Sequence, residues 1–179
     1  MCRIVPDILS LPQHLETLEQ QPVRYRPLAC PQCGLAKPWG HGCYQRKADR
    51  QPGPAGSLNP IPIPRYRCSG CRQTCSRLPA CVAPRRWYAW AIQQLVLLCL
   101  LGGGSLHEAA AQAGVERRTA RRWWVWLQTQ TTPFGFWLRA RVPAWGRAAT
   151  LTDFWLAVLA AIPLCRAMAW LDQAGVAVP

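Results

Sequence analysis

The apolar residues near the start of the chain recur at helical spacing. Leu11, Leu15 and Leu18 are separated by four and three residues, so residues 10–20 predict a helix with these leucines on one face. We expect this helix to serve packing alone. We also expect its one histidine, His14, to be exposed to solvent.

The segment between residues 41 and 67 shows the mixed polar and aromatic pattern of short strands. Residues 41–46 and 61–67 predict two strands, and the residues between them include a loop rich in proline and glycine. Pro62 and Pro64 lack the N–H groups that a ladder needs. We therefore expect the second strand to lie at the edge of its sheet.

The second half of the chain returns to helical spacing. A helix predicted from Pro84 to about Leu101 ends at three consecutive glycines. A long apolar segment, residues 151–171, predicts one buried packing helix, with a dimer contact as a further role. Its uninterrupted apolar run, residues 154–165, is shorter than the ~20 residues that a bilayer requires, so we expect no membrane partner. The buried face of the first helix is predicted to contain Trp87, Ala91, Leu95 and Leu98.

Two further helices are predicted on either side of a glycine turn. Ser105 and Glu108 have the spacing of a capping box, so a short helix is expected over residues 106–113. Gly114 makes the turn, and a second helix follows over residues 116–129. This layout is typical of a helix-turn-helix. Its packing positions are predicted to be Ala110, Ala113, Val115, Ala120, Trp123 and Leu127.

The same pattern leaves four arginines on the outward side of the second helix. They are Arg117, Arg118, Arg121 and Arg122. Arginine reads guanine bidentately and also holds phosphates, so this side of the helix suits the major groove of DNA. The alternative is a plain helical hairpin whose arginines are merely solvated.

Four cysteines have the spacing of a closed zinc site. Cys30 and Cys33 form one Cys-x-x-Cys pair, and Cys68 and Cys71 form another. Two such pairs supply the four thiolates of a tetrahedral Zn²⁺ site, with Gly34 and Gly70 expected to give each turn its backbone freedom. Cys75, Cys43, His41 and Cys81 lie near enough in sequence to replace one of the four.

These elements predict a mainly α fold with a small β zinc ribbon, followed by a helix-turn-helix bundle and C-terminal helices. Four segments are expected. Residues 1–27 form an N-terminal helix and linker, residues 28–83 the zinc ribbon, and residues 84–130 the helix-turn-helix. Residues 131–179 form a C-terminal helical extension.

Charge narrows the class of partner. The formal net charge is +13, and residues 21–147 carry 19 Lys and Arg against three acids. A basic segment of this strength indicates a polyanion, with Arg65, Arg67 and Arg72 as additional phosphate contacts on the ribbon. Residues 1–20 lack the pattern of a signal peptide, so thiolate ligands in a reducing cytoplasm are expected rather than disulfides.

Longer stretches of the chain resemble a known group of proteins. The motifs are Cys-Pro-x-Cys-Gly at residues 30–34, His41-Gly42 with Tyr44 and Arg46, Ile-Pro-Ile-Pro-Arg-Tyr-Arg-Cys at residues 61–68, and Thr-Cys-Ser-Arg-Leu-Pro at residues 74–79. Over residues 28–130 the chain resembles the zinc-ribbon and helix-turn-helix front end of bacterial insertion-element transposases and their small relatives. The resemblance implies recognition of DNA, often transposon ends.

The chain departs from those transposases beyond residue 130. Their catalytic domain uses three acidic metal ligands, but only Asp153 and Asp172 follow Glu116 here. We therefore expect no catalytic residues and no cutting or joining of DNA. The predicted function is zinc-dependent, transposon-associated DNA binding, with DNA and either a second copy or a transposase as partners. The alternatives are a protein-interaction adaptor that uses the ribbon and the apolar C-terminal helix, and an enzyme that uses zinc as a Lewis acid.

Overall fold

A computed structural model of the chain describes residues 2–48, 58–84 and 88–178. Within these ranges the fold is mixed α/β, with six α-helices and one four-stranded sheet. The chain divides into two compact units, Met1–Tyr88 and Ala89–Val178. In chain order the elements are β1 (Cys2–Val5), α1 (Leu11–Gln20), β2 (Trp39–Arg46), β3 (Ile61–Arg67), β4 (Thr74–Pro79), α2 (Trp90–Leu101), α3 (Leu106–Ala113), α4 (Arg117–Arg141), α5 (Leu151–Ala161) and α6 (Leu164–Gln173).

The sheet of the first unit has the strand order β1-β4-β3-β2. β1 runs parallel to β4, whereas the pairs β4–β3 and β3–β2 are antiparallel. β3 is therefore an interior strand, and the expectation that it lies at the edge is wrong.

The two prolines of β3 are tolerated because they lie beyond the reach of β4. β4 pairs with Arg65–Arg67 only, so within the described residues the end of β3 that holds Pro62 and Pro64 has β2 on one side and no strand on the other. On that open side the Pro62 carbonyl accepts a hydrogen bond of 2.8 Å from His14 Nε2. The two prolines therefore still lie where no neighbouring strand needs their missing N–H groups, although β3 as a whole is an interior strand.

Two apolar clusters lie against the sheet. One contains Val5, Ile8, Tyr25, Tyr66 and Cys75, with Leu18 of α1 packed against it. The other contains Ile61, Ile63, Leu78 and Val82, with Leu11 of α1 packed against it. α1 therefore contributes to both clusters, one near each of its ends.

His14 is completely buried, so the expectation that it is exposed is wrong. Because Pro62 O can only accept, His14 Nε2 donates to it, and the Tyr25 hydroxyl then donates to Nδ1 at 2.5 Å. The buried residues of α1 are His14 and Thr17, flanked by half-buried Leu11 and Leu18. Leucine spacing located the helix but not the polar residue at the centre of its buried face.

Burial of His14 predicts a pH dependence of stability. Desolvation lowers the pKa of this imidazole below its usual value, although the bond to Pro62 opposes the shift. The unfolded chain takes up a proton near pH 6.5 and the folded chain resists it. The free energy of unfolding should therefore fall as the pH drops below about 6.5, by at most ~1.4 kcal/mol per pH unit.

Urea titrations of the wild type and of His14→Gln between pH 5 and 8 test this expectation. The variant has no group that titrates at this position, so its stability should change less below pH 6.5. Identical slopes for the two chains would contradict a buried neutral histidine.

In the second unit, α2 buries a different face from the predicted one. Its buried residues are Trp90, Gln93, Val96, Leu97 and Leu101, whereas Ala91 is exposed and Leu95 and Leu98 are half-buried. Trp87, also assigned to that face, lies outside the described residues. α2 is apolar nearly all round, so spacing alone could not select a face.

α4 is longer than predicted. It continues through Pro133 to Arg141 instead of ending near residue 129. Pro133 is exposed, and the buried residues that follow it, Phe134 and Leu138, pack in the core of the unit. Burial of such side chains offsets the cost of a proline inside a helix, which is about 3 kcal/mol.

The C-terminal apolar segment forms two helices rather than one. α5 ends at Ala161 and α6 begins at Leu164, with Pro163 as its N-cap and a bend of 100° between them. Phe154, Trp155 and Val158 are completely buried, so the segment packs as predicted. No single helix within the described ranges has the length and hydropathy of a membrane span, although the bent pair α5–α6 meets both criteria when taken together.

Candidate metal centre and basic helix

The first Cys-x-x-Cys pair lies on a tight loop before β2. Cys30 N donates to Leu35 O at 2.8 Å, and Gly34 N donates to Cys30 O at 2.9 Å. Gly34 has φ +75°, a conformation that only glycine adopts without a steric penalty. The loop therefore folds back on itself and directs both sulfurs to the same side.

The second pair lies between β3 and β4 and repeats this geometry. Cys68 N donates to Gln73 O at 3.0 Å, which is the same five-residue span as in the first loop. Arg72 occupies the position that corresponds to Gly34 and also has a left-handed backbone, with φ 59°. Gly70 has a different role from the predicted one, because a Cβ there would lie 3.0 Å from Leu35 Cδ2 and crowd the first loop.

The two loops bring the four predicted sulfurs together. Cys30, Cys33, Cys68 and Cys71 have sulfur atoms that all lie within 4.8 Å of one another. The Cys30–Cys71 and Cys33–Cys68 sulfur pairs are 3.6 and 3.5 Å apart, too far for a disulfide of ~2.05 Å. Tetrahedral thiolates around Zn²⁺, with bonds of ~2.3 Å, would be about 3.8 Å apart. The cluster therefore has the size and the donor atoms to hold a metal ion.

Backbone amides favour the ionised form of the first pair. The amides of Cys33 and Gln32 lower the pKa of the Cys30 thiol to about 6, and the Leu35 amide lowers that of Cys33. The Gln73 amide acts in the same direction on Cys71, but burial and the neighbouring sulfurs raise the pKa of that thiol to about 12. Four thiolates at this distance repel one another unless a cation lies between them.

The other candidate ligands lie elsewhere. His41 and Cys43 are exposed on β2, and Cys75 is buried in an apolar cluster of the sheet. Cys81 packs against the other cluster. Within the described ranges, the four paired cysteines form the one group of three or more His, Cys, Asp or Glu side chains that could share a metal ion.

The three arginines predicted as additional phosphate contacts, Arg65, Arg67 and Arg72, lie close to the cysteine cluster in sequence. Arg65 and Arg67 are half-buried on β3, and Arg72 is exposed on the second loop. Arg65 Nη2 donates to Thr74 Oγ1 at 3.3 Å. The structure therefore places all three on the sheet and loop that carry Cys68 and Cys71.

α3 and the start of α4 follow the predicted local pattern. The capping box is present, with the Ser105 amide donating to Glu108 at 2.7 Å and lowering the pKa of that carboxyl. Gly114 has φ 63°, and Val115 N donates to Ala110 O at 3.0 Å to close the turn. Ala110 is buried, as predicted.

The four arginines at the start of α4 are all exposed. Ala120, Trp123 and Leu127 are buried, as predicted, so the opposite side of α4 is held in the core. Arg117, Arg118, Arg121 and Arg122 occupy the first six positions of the helix, beside the turn. At the far end, Arg139 lies 4.6 Å from the Phe154 ring and Arg141 lies 4.3 Å from the Trp170 ring.

Trp39 is a candidate that the sequence analysis missed. β2 begins two residues earlier than predicted and includes this tryptophan, which is 45% exposed. Its partner across the strands is Arg67. The signal available in the sequence was a tryptophan two residues before a predicted strand, in a basic segment.

Comparison with known protein families finds one match, which covers about half of the chain. A family model described as a domain of unknown function, DUF6431, matches residues 30–123. The matched region starts at the first cysteine of the cluster and ends in α4, just after the four exposed arginines. No curated protein and no solved structure matches the chain.

Proposed function

The chain belongs to the DUF6431 family, and we propose that it is a zinc-dependent DNA-binding protein that is associated with, or derived from, a transposon. The first unit is proposed to be a zinc ribbon, and α3 with α4 a helix-turn-helix. The resemblance to insertion-element transposases over residues 28–130 is the reason for the link to transposition. The family match covers the cysteine cluster and the four arginines at the start of α4, so both proposed DNA-contacting regions lie within the matched residues.

Zinc is the proposed metal because of the donor set. Four thiolates in a tetrahedron select Zn²⁺ over the hard cations, which prefer oxygen ligands. The two loops close the shell with protein sulfur and leave no open position, so the proposed role of the ion is structural. Its ligands would hold the β3–β4 connection against the loop before β2.

The observation that carries the DNA-binding proposal is the arrangement of α3 and α4. A capped short helix, a left-handed glycine and a helix with one buried and one strongly basic side favour insertion of α4 into the major groove. The free side of α4 has no acidic residue between Arg117 and Arg141. A phosphate backbone therefore meets uncompensated positive charge there.

Catalysis is not part of the proposal. Asp153 accepts from Thr150 Oγ1 at 2.7 Å at the start of α5, and Asp172 is buried in α6. These two acids do not belong to a cluster of metal ligands in the described part of the chain. We expect the chain to show no Mg²⁺-dependent nicking.

An adaptor role is the second candidate, and one observation favours it. A groove of about 390 Å³ in the second unit is lined by residues of α4 and α6, among them Trp137, Arg141 and Trp170. Such a groove could receive an apolar segment of another protein. Either role fits a reducing, cytoplasmic setting in which thiolates remain available for zinc.

Single alanine variants of the seven proposed DNA-binding arginines test the proposal. They are Arg117, Arg118, Arg121, Arg122, Arg65, Arg67 and Arg72. A duplex selected from a random library and its scrambled version serve as probes at two salt concentrations. Replacement of a base-reading arginine of α4 by alanine should weaken binding to the selected duplex by about 1–3 kcal/mol. It should also relax the base preference at one position of the site.

The ribbon arginines provide the contrast. Loss of a phosphate contact should weaken binding to both duplexes alike and reduce the slope of log K against log salt by about one. If all seven variants lose affinity equally on both duplexes, α4 is not a recognition helix. The arginines would then form a non-specific basic surface.

A further inference from the structure

One face of the sheet in the first unit carries a row of polar and aromatic side chains beside the cysteine cluster. Trp39 on β2 is directly opposite Arg67 on β3, and Arg67 is opposite Thr74 on β4. Side chains of directly paired residues lie on the same face, with Cβ atoms about 5 Å apart. The row therefore joins an aromatic ring, a guanidinium group and a hydroxyl on one surface.

Trp39 is held in place while its ring remains accessible. Its ring makes an edge-to-face contact with His41, with 5.4 Å between the ring centroids. This contact braces the indole without enclosing it, and 45% of the residue is exposed. A large aromatic ring that is already ordered loses little conformational freedom when a ligand stacks on it.

The neighbouring arginine is also positioned before any ligand arrives. Arg65 donates from Nη2 to Thr74 Oγ1 and lies 6.0 Å from the Tyr44 ring. Residues 21–84 contain a single acid, Asp49. The charge of this face is therefore not offset by carboxylates from its own strands.

We propose that this face binds single-stranded DNA, with Trp39 stacking on an unpaired base and Arg65 and Arg67 contacting the adjacent phosphates. The inference rests on the proposed DNA-binding function, because it takes the same polymer as ligand. It differs in the form of DNA that is required. In a duplex each base face is covered by its neighbours, whereas an unpaired base offers its face to an aromatic ring.

The two units would then contact bases in different states, while Arg65 and Arg67 can contact the phosphates of a duplex or of a single strand. α4 presents arginines to the edges of paired bases, and the Trp39 face accepts bases that have left the stack. A protein with both surfaces is suited to a DNA end or junction where duplex and single strand meet.

The test compares Trp39→Ala, Trp39→Phe and Arg121→Ala in the full zinc-loaded chain. The probes are fluorescein-labelled dT15 and the selected duplex, at one salt concentration. Phe136→Ala is the matched control, because it removes an exposed aromatic residue from the second unit. Trp39→Ala should weaken binding of dT15 roughly tenfold and change duplex binding less than about twofold.

Trp39→Phe should retain most of the affinity for dT15, because phenylalanine also stacks. Arg121→Ala should show the reverse pattern and weaken the duplex more than dT15. The inference would be overturned if Trp39→Ala lowered the affinity for both probes equally, or if it did not lower the affinity for dT15. The second result would assign this face to another partner. If the chain does not bind the duplex but Trp39→Ala still weakens dT15, the stacking site stands while the duplex-reading function fails.

Discussion

Chelation of the metal should unfold the loops around the cysteine cluster and destabilise the sheet that they connect. Binding of a structural Zn²⁺ contributes on the order of 10 kcal/mol to units of this kind, which is as large as the whole stability of a typical domain. If Zn²⁺ links the sulfurs of Cys30, Cys33, Cys68 and Cys71, as we propose, its removal takes away the bonds that hold the two loops together. Both loops should then open.

Elemental analysis and hydrogen exchange measure this effect together. One Zn²⁺ per chain is expected in reduced, gently purified protein. After chelation, amides of residues 28–48 and 58–79 should lose protection, while those of Ala89–Val178 should keep it. Absence of zinc from protein prepared in this way would refute the metal assignment.

Cysteine variants separate the cluster from the other thiols. Cys68→Ser removes a ligand and should reproduce the effect of chelation. Cys43→Ser is the matched control, because Cys43 is exposed on β2 and outside the cluster. Equal zinc content in the two variants would show that the ion is held elsewhere.

Trp123→Ala should abolish the preference for the selected duplex although every arginine is retained. Trp123 is 1% exposed and lies on the buried face of α4 with Ala120 and Leu127. Truncation of a buried tryptophan costs about 3–5 kcal/mol, which is a large part of the stability of a small unit. Loss of the core should release α4 from its fixed position relative to α3.

This substitution leaves the net charge at +13, so it distinguishes geometry from charge. If only charge mattered, affinity for both duplexes would be unchanged. We expect instead that binding to the selected duplex falls to the level of the scrambled one in gel-shift titrations. Phe136→Ala, on the exposed side of the same helix, should change stability by less than about 0.5 kcal/mol. A preference that survives Trp123→Ala would argue against reading by α4.

Features that depend on a few neighbouring residues could be predicted from the sequence. The Ser105–Glu108 capping box spans four residues, and its hydrogen bonds are present. Each Cys-x-x-Cys loop is likewise local, and only the meeting of the two loops requires the sheet. The spacing of the thiols and the position of Gly34 both pointed to one cluster.

Features that depend on distant partners could not be predicted in this way. β1 pairs with β4, which lies more than 70 residues further along the chain. The local sequence of Cys2–Val5 does not indicate that this strand pairs in parallel with β4. His14 is buried because Tyr25 and Pro62 satisfy both ring nitrogens, and Pro62 is 48 residues away. Pro133 remains inside α4 because core packing outweighs a local helix-breaking preference.

The parallel pairing of β1 with β4 bears on how the family region can be isolated. A fragment that starts at Cys30 would lack β1 and α1, so β4 would become an edge strand with unpaired N–H and C=O groups. Removal of Val5 and Ile8 would also open the apolar cluster that contains Tyr66. Self-association through the exposed edge would then compete with metal binding. Pro79, the partner of Val5, lacks an N–H group and would discourage new pairing only at the end of β4. The remaining residues of the exposed edge of β4 would have no such protection.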